Sequence, residues 1–172
     1  MKRLVAFSII ISLFSTSTIF ALGLDGKKAA YQGGTAKEKY FPGTKKPVEG
    51  TLNLENANEL KFEYVLNKSK SSYSIPFDQI IDIEYGQKAG RRVGAAVATA
   101  LLISPIGLFL LFSKKRKHFI TIGYKGAEGK EEVAVFELGK DIVRTTLPIL
   151  EARSGKKLTY QDEEAKKSSK GD

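Results

Sequence analysis

Hydrophobic and polar residues alternate with a period of two through the middle of this chain. Residues 60–66 set Leu60, Phe62, Tyr64 and Leu66 against Lys61, Glu63 and Val65, the pattern of a strand with one buried face. Leu52 and Leu54 share a face just before it, and the polar residues 56–59 between them supply a hairpin turn. A second polar turn at 67–72 leads into residues 73–85. Pro76 interrupts that ladder and suits an edge or a bend; beyond it Ile81, Ile83 and Tyr85 oppose Asp82 and Glu84. Two later stretches repeat the pattern, with Ile120, Ile122 and Tyr124 on one face of 119–124 and Ala134, Phe136 and Leu138 on one face of 133–138. The glycine-containing stretch 125–130 turns between them. After Gly139, Asp141 can cap a helix running toward Arg153, whose stripe Ile142, Val143, Leu147 and Leu150 can cover an open sheet. Pro148 removes a donor inside that helix and predicts a kink or a later start. Gly155 fits the C-cap, and residues 156–160 add a short strand.

One stretch breaks the period. Residues 93–112, VGAAVATALLISPIGLFLLF, form a run of twenty without a charged side chain. Arg91 and Arg92 precede it; Lys114, Lys115, Arg116, Lys117 and His118 follow. A single helix of that length would reach about 30 Å, enough to cross a bilayer core. Three arrangements compete. In the first, Ser104-Pro105-Ile106-Gly107 divides the run into two short helices that dip into one leaflet and return, with both basic flanks at one headgroup surface. In the second the run crosses the membrane, Gly94 and Ala98 offering a small-residue packing face. That would put residues 60–85 and 119–138 on opposite sides, unable to share a sheet; with an uncleaved N-terminal anchor, the basic cluster 114–117 would be cytoplasmic. In the third the run is a buried helix or helical hairpin packed on the sheet, for which twenty uncharged residues are long in so small a domain. The dipping hairpin is the arrangement adopted.

The two ends of the chain read differently. Lys2 and Arg3 precede the apolar residues 4–20, and Ala21 fits the residue before a cleavage site. Ile19 at the −3 position is less favourable than a small residue, so residues 1–21 are a signal peptide or an uncleaved anchor. Residues 22–47 are rich in Gly, Lys and Ala without an apolar period, six lysines standing against Asp25 and Glu38; they read as a flexible basic linker in which Tyr40 and Phe41 can tuck onto the domain. Gly33-Gly34-Thr35 lacks the later Gly-Lys-Ser/Thr of a phosphate loop. Residues 161–172 read as a disordered tail. The folded domain is then 48–160.

Charge sharpens the picture around the apolar run. The chain carries 28 basic and 19 acidic side chains, a net +9, or 26 − 19 = +7 without Lys2 and Arg3. No acidic residue lies between Glu84 and Glu128, where eight lysines and arginines do. A basic collar around an apolar segment points to anionic lipid headgroups. Nucleic acid is set aside, because no aromatics interleave with the basic residues and the chain reads as exported. The absence of cysteine excludes a disulfide framework, a thiolate nucleophile or metal site, and a lipid-modified cysteine.

Catalytic chemistry finds little to work with. His118 is the only histidine and reads as a surface residue, with no nucleophile or orienting partner indicated. Asp78, Asp82 and Glu84 lack the oxygen-ligand spacing of a calcium loop, and Asp82 with Glu84 read as a solvated strand face. Ser69, Ser71, Ser72 and Ser74 are turn composition, and no serine lies in a Gly-x-Ser-x-Gly elbow. The sequence therefore predicts no enzyme, no cofactor and no metal.

With the apolar run excised, the order hairpin, strand, strands, closing helix over 48–160 resembles the pleckstrin-homology/GRAM-like superfamily, and IPFDQIIDIEY at 75–85 looks like a strand region of its bacterial members. The resemblance implies an α+β fold: a small curved antiparallel sheet, a PH-like partial barrel, closed by a C-terminal helix, here with an apolar helical hairpin inserted between strands. It also implies a membrane-targeting or protein-interaction module. The expectation is a non-enzymatic, exported protein on the periplasmic side of the cell envelope. It would sit at a membrane surface through the apolar run and through headgroup contacts from Arg91, Arg92, Lys114, Lys115, Arg116 and Lys117, binding lipid or a protein partner. The alternative is a small integral membrane protein with one or two transmembrane helices, serving as a subunit of a membrane complex.

Overall fold

The alternating stretches form strands. A computed structural model describes residue 24 and residues 27–35, 37–87 and 117–170. Its strands are β1 (Ala29–Gly34), β2 (Val48–Asn53), β3 (Glu59–Leu66), β4 (Ser69–Pro76), β5 (Ile80–Gly86), β6 (His118–Lys125), β7 (Glu131–Leu138) and β8 (Leu158–Tyr160). Its helices are α1 (Lys37–Tyr40), α2 (Lys140–Ser154) and α3 (Glu163–Lys170), with 3-10 turns at Phe77–Gln79 and Ala127–Gly129. All eight strands form one sheet in the order β4-β3-β2-β1-β7-β6-β5-β8. Every pairing is antiparallel except β5 with β8, which is parallel.

This corrects the expected architecture. The small antiparallel partial barrel closed by a C-terminal helix is instead a single open, mixed sheet of eight strands, and no apolar helical hairpin is inserted among the described residues. Two strands beyond the expected ones enlarge the sheet: residues 73–85 divide into β4 and β5 at the Phe77–Gln79 turn, and β1 is added, while the expected short strand at the C-terminal end sets the edge. β8 adds a parallel edge at Ile83↔Leu158. β1 lies in the centre of the sheet, in a stretch expected to be linker. Its sequence, AAYQGG, is buried on both faces, so no alternation marks it. Its glycines serve close approach: at Gly34, with φ +146, an added Cβ would lie 2.0 Å from the Val133 carbonyl oxygen. The register of β1 on β7 also shifts between Tyr31 and Gly33. Likewise α3 lies where a disordered tail was expected, with Ala165 in the core.

The inner face holds the core. Tyr31 stacks on Phe41 at 4.0 Å between ring centroids, and Phe62, Tyr64, Tyr73 and Phe136 extend the aromatic cluster. The sheet bends strongly around it. β4 and β6 are five strands apart, on the order of 24 Å in a flat sheet, yet the Tyr73 hydroxyl donates to the Tyr124 hydroxyl at 2.5 Å. Tyr124 donates onward to Glu132 Oε2. Val143, Leu147 and Leu150 of α2 join this core. The helix continues from Lys140 past Pro148 to the left-handed Gly155, so the proline does not delay its start. Arg153, near its end, donates to the carbonyls of Leu54 and Asn56 and lies over the Phe77 ring.

The outer face is divided. Over β2, β3 and β4 it is wet, carrying exposed Glu49, Thr51, Glu63, Val65, Lys70 and Ser72. Over β1, β7 and β6 it is dry: Ala30, Gln32, Phe119, Thr121, Val133, Val135 and Glu137 are all buried.

Candidate functional site

Four strand ends meet at one end of the sheet. β1 begins there with Ala29 opposite Leu138, the last residue of β7. Leu138 in turn faces His118, the first residue of β6, and Phe119 faces Gly86, the last residue of β5. Gly139 N–H donates to the Lys28 carbonyl at 2.8 Å and fixes the corner. Both apolar stretches of the sequence therefore attach at this end: residues 1–23 lead toward β1, and residues 88–116 connect β5 to β6. The chain between Gly86 and His118 thus leaves and rejoins the sheet at neighbouring strand ends.

A buried carboxylate organises the dry side of this end. Glu137 Oε2 accepts from Gln32 Nε2 at 2.7 Å and from Lys117 Nζ at 2.8 Å. Gln32 and Glu137 are buried, and Lys117 is partly exposed. A buried carboxylate needs such donors to offset its lost hydration. β1, β7 and the residue entering β6 are thus tied by one side-chain cluster. Among the described residues, Gln32 Oε1 finds no hydrogen-bond partner there.

The inner side of the same end carries a second cluster. The Tyr85 hydroxyl lies 2.6 Å from His118 Nδ1 and 3.2 Å from Ser168 Oγ, linking β5, β6 and α3. The rings of Tyr85 and His118 lie nearly parallel. Burial lowers the His118 pKa below its ordinary value, against the opposing pull of the Glu137 charge, so the imidazole is neutral at pH 7. Burial also raises the Tyr85 pKa. The expectation of a surface histidine is corrected to a half-buried one with partners on a strand and a helix.

Of the residues expected to contact headgroups, Arg91, Arg92, Lys114, Lys115 and Arg116 lie outside the described residues. Lys117 lies inside them, and its ammonium is committed to Glu137 rather than facing solvent alone. The carboxylates expected on one solvated strand face separate: Asp82 is exposed and accepts the Gly123 N–H at 3.1 Å beside a strand irregularity, whereas Glu84 is buried. Among the described residues no three His, Asp or Glu side chains converge as metal ligands, and no helix is long and apolar enough to cross a membrane.

Sequence reasoning missed Gln32 and Glu137. Gln32 sits in a strand without alternation, while Glu137 follows Val133 and Val135 at a spacing of two. An acid on a valine-rich strand face signals a partnered carboxylate, and that signal was legible. No protein-family model matches the chain, and no curated protein matches it.

Proposed function

We propose that this is a non-enzymatic envelope module held at an anionic membrane surface, with the β1/β7/β6/β5 end of its sheet turned toward the lipid. The observation that supports the reading most is the convergence of β1, β5 and β6 at that end: Ala29 opposite Leu138, Leu138 opposite His118 and Gly86 opposite Phe119. The apolar segment 93–112 then enters and leaves the bilayer from one side. Its flanks Arg91, Arg92, Lys114, Lys115 and Arg116 meet the headgroups, each contributing about 1 kcal/mol at an anionic surface. Lys117 acts inside the fold, holding the start of β6 to Glu137. The wet outer face of β2, β3 and β4 stays in water, where a protein partner can reach it.

Vesicle flotation tests this. The full chain should float with phosphatidylglycerol-containing vesicles, and a variant with all five flanking basic residues changed to Gln should lose most of the preference for anionic over zwitterionic vesicles. Equal flotation of both proteins with both vesicle types would reject headgroup recognition by the collar.

A further inference from the structure

Helix α3 closes the end of the sheet at which the chain leaves β5 and rejoins β6. β8 runs parallel to β5, with Tyr160 opposite Tyr85. One residue on, the Gln161 N–H donates to the Tyr85 carbonyl at 3.0 Å. The Gln161 side chain fills the space beside Gly86, where an added Cβ would lie 1.8 Å from it. Asp162 then caps the helix, its Oδ1 accepting the Ala165 N–H at 2.7 Å. The turn from strand to helix falls at the end of β5, and α3 crosses that end with Ala165 in the core. Ser168 Oγ lies 3.2 Å from the Tyr85 hydroxyl, which reaches His118 at the start of β6.

The helix has two unlike sides. At about 100° per residue, Ala165, Ser168 and Ser169 share the side turned to the sheet, where Ala165 and Ser169 are buried. Lys166, Lys167 and Lys170 project away from it and are exposed. The acids stay at the other end of the helix: Asp162 caps it and Glu163 and Glu164 lie in its first turn, whereas Lys167 and Lys170 lie in its last. That basic end is the one whose Ser168 is joined through Tyr85 to His118. The corner fixed by the Gly139–Lys28 hydrogen bond adds exposed Lys28 and Lys140, with exposed Asp141 beside them.

We propose that α3 rests on the anionic lipid surface, with Lys166, Lys167 and Lys170 on the headgroup phosphates and Lys28 and Lys140 extending the contact along the corner. The inference rests on the function proposed above and adds residues of the fold itself to the headgroup contact. Two relations select the lipid as the occupant. The basic end of α3 complements anionic phosphates, and it sits beside the strand end through which the chain re-enters the sheet.

The chain has no cysteine, so one substitution can carry a probe. In the full chain, Lys167→Cys would be labelled with bimane and bound to vesicles of phosphatidylglycerol and phosphatidylcholine containing the headgroup quencher TEMPO-phosphocholine. Ser72→Cys on the wet outer face serves as the reference. The probe at 167 should lose most of its emission while the probe at 72 keeps it, and omitting phosphatidylglycerol should restore much of the loss. A chain that floats with the vesicles while 167 is quenched no more than 72 overturns the α3 contact and leaves the proposed function standing. Equal quenching at 167 with and without phosphatidylglycerol overturns recognition of the anionic headgroup. A chain that does not float removes the proposed function and this contact together. Lys170→Cys repeats the measurement where Lys167→Cys fails to fold.

Discussion

Gly86 faces Phe119 across the β5–β6 ladder, so the chain leaves the sheet and re-enters it at adjacent positions. Lys61 on β3 and Lys125 at the end of β6, beyond the apolar run, belong to one side of any membrane, because β3 and β6 share the sheet. Single cysteines at these two positions should react with an impermeant maleimide from the same side in intact spheroplasts. Labelling of one from outside and the other only after lysis would contradict the sheet pairing.

Glu137 holds Gln32 and Lys117 at once. Glu137→Ala leaves two donors without their acceptor and opens a small void in the dry face. Thermal unfolding should show a loss of about 1–3 kcal/mol. Glu137→Gln, which keeps one acceptor oxygen, should lose less. Equal stability of the alanine variant and the parent would show that the cluster contributes nothing to the fold.

His118 predicts a pH dependence. Its folded pKa lies below the unfolded value of about 6.5, so the unfolded chain binds the proton more readily. Stability from this group is complete above that value and declines as pH falls below about 6.5 toward the folded pKa. The Tyr85 hydroxyl contacts the ring and the Glu137 charge acts on it; the Glu137 carboxylate narrows the window, while burial sets its direction. The melting temperature should drop as pH falls below about 6.5, and His118→Gln should flatten that slope. A slope unchanged by the substitution would assign it to other groups.

Much of the fold was legible and the central strand was not. β3, β5, β6 and β7 announced themselves because one face carries Leu60, Phe62, Ile83, Ile120 and Phe136 while intervening residues tend to be polar. β1 did not, because a strand buried on both faces has no reason to alternate and its Gly33 and Gly34 mimic a turn. α2 was readable from its stripe and from Gly155, although Pro148 misdirected its start. At the site, the attachment of 93–112 between two strands was visible in the sequence, but the pairing of those strands required the sheet register. The commitment of Lys117 to Glu137 was hidden because the partner lies on a different strand.

Gly34 makes the importance of β1 measurable. An alanine there would bring its Cβ against the Val133 carbonyl in a backbone conformation that favours glycine. Gly34→Ala should destabilise the protein by roughly 2 kcal/mol or more, whereas Gly43→Ala meets no atom within 4 Å and strains only a surface turn. Urea unfolding of the two variants should therefore separate clearly. Equal midpoints would mean that β1 is dispensable to the sheet.

The most direct test removes the other apolar segment. With residues 1–21 replaced by a leader that is fully cleaved on export, 93–112 is the one membrane-grade stretch left in the chain. Membranes carrying this protein would be washed with alkaline carbonate and assayed for what remains. The account predicts that the protein stays in the membrane pellet and that Leu102→Asp with Leu108→Asp releases it. Recovery of the folded, unsubstituted protein in the soluble fraction would contradict it.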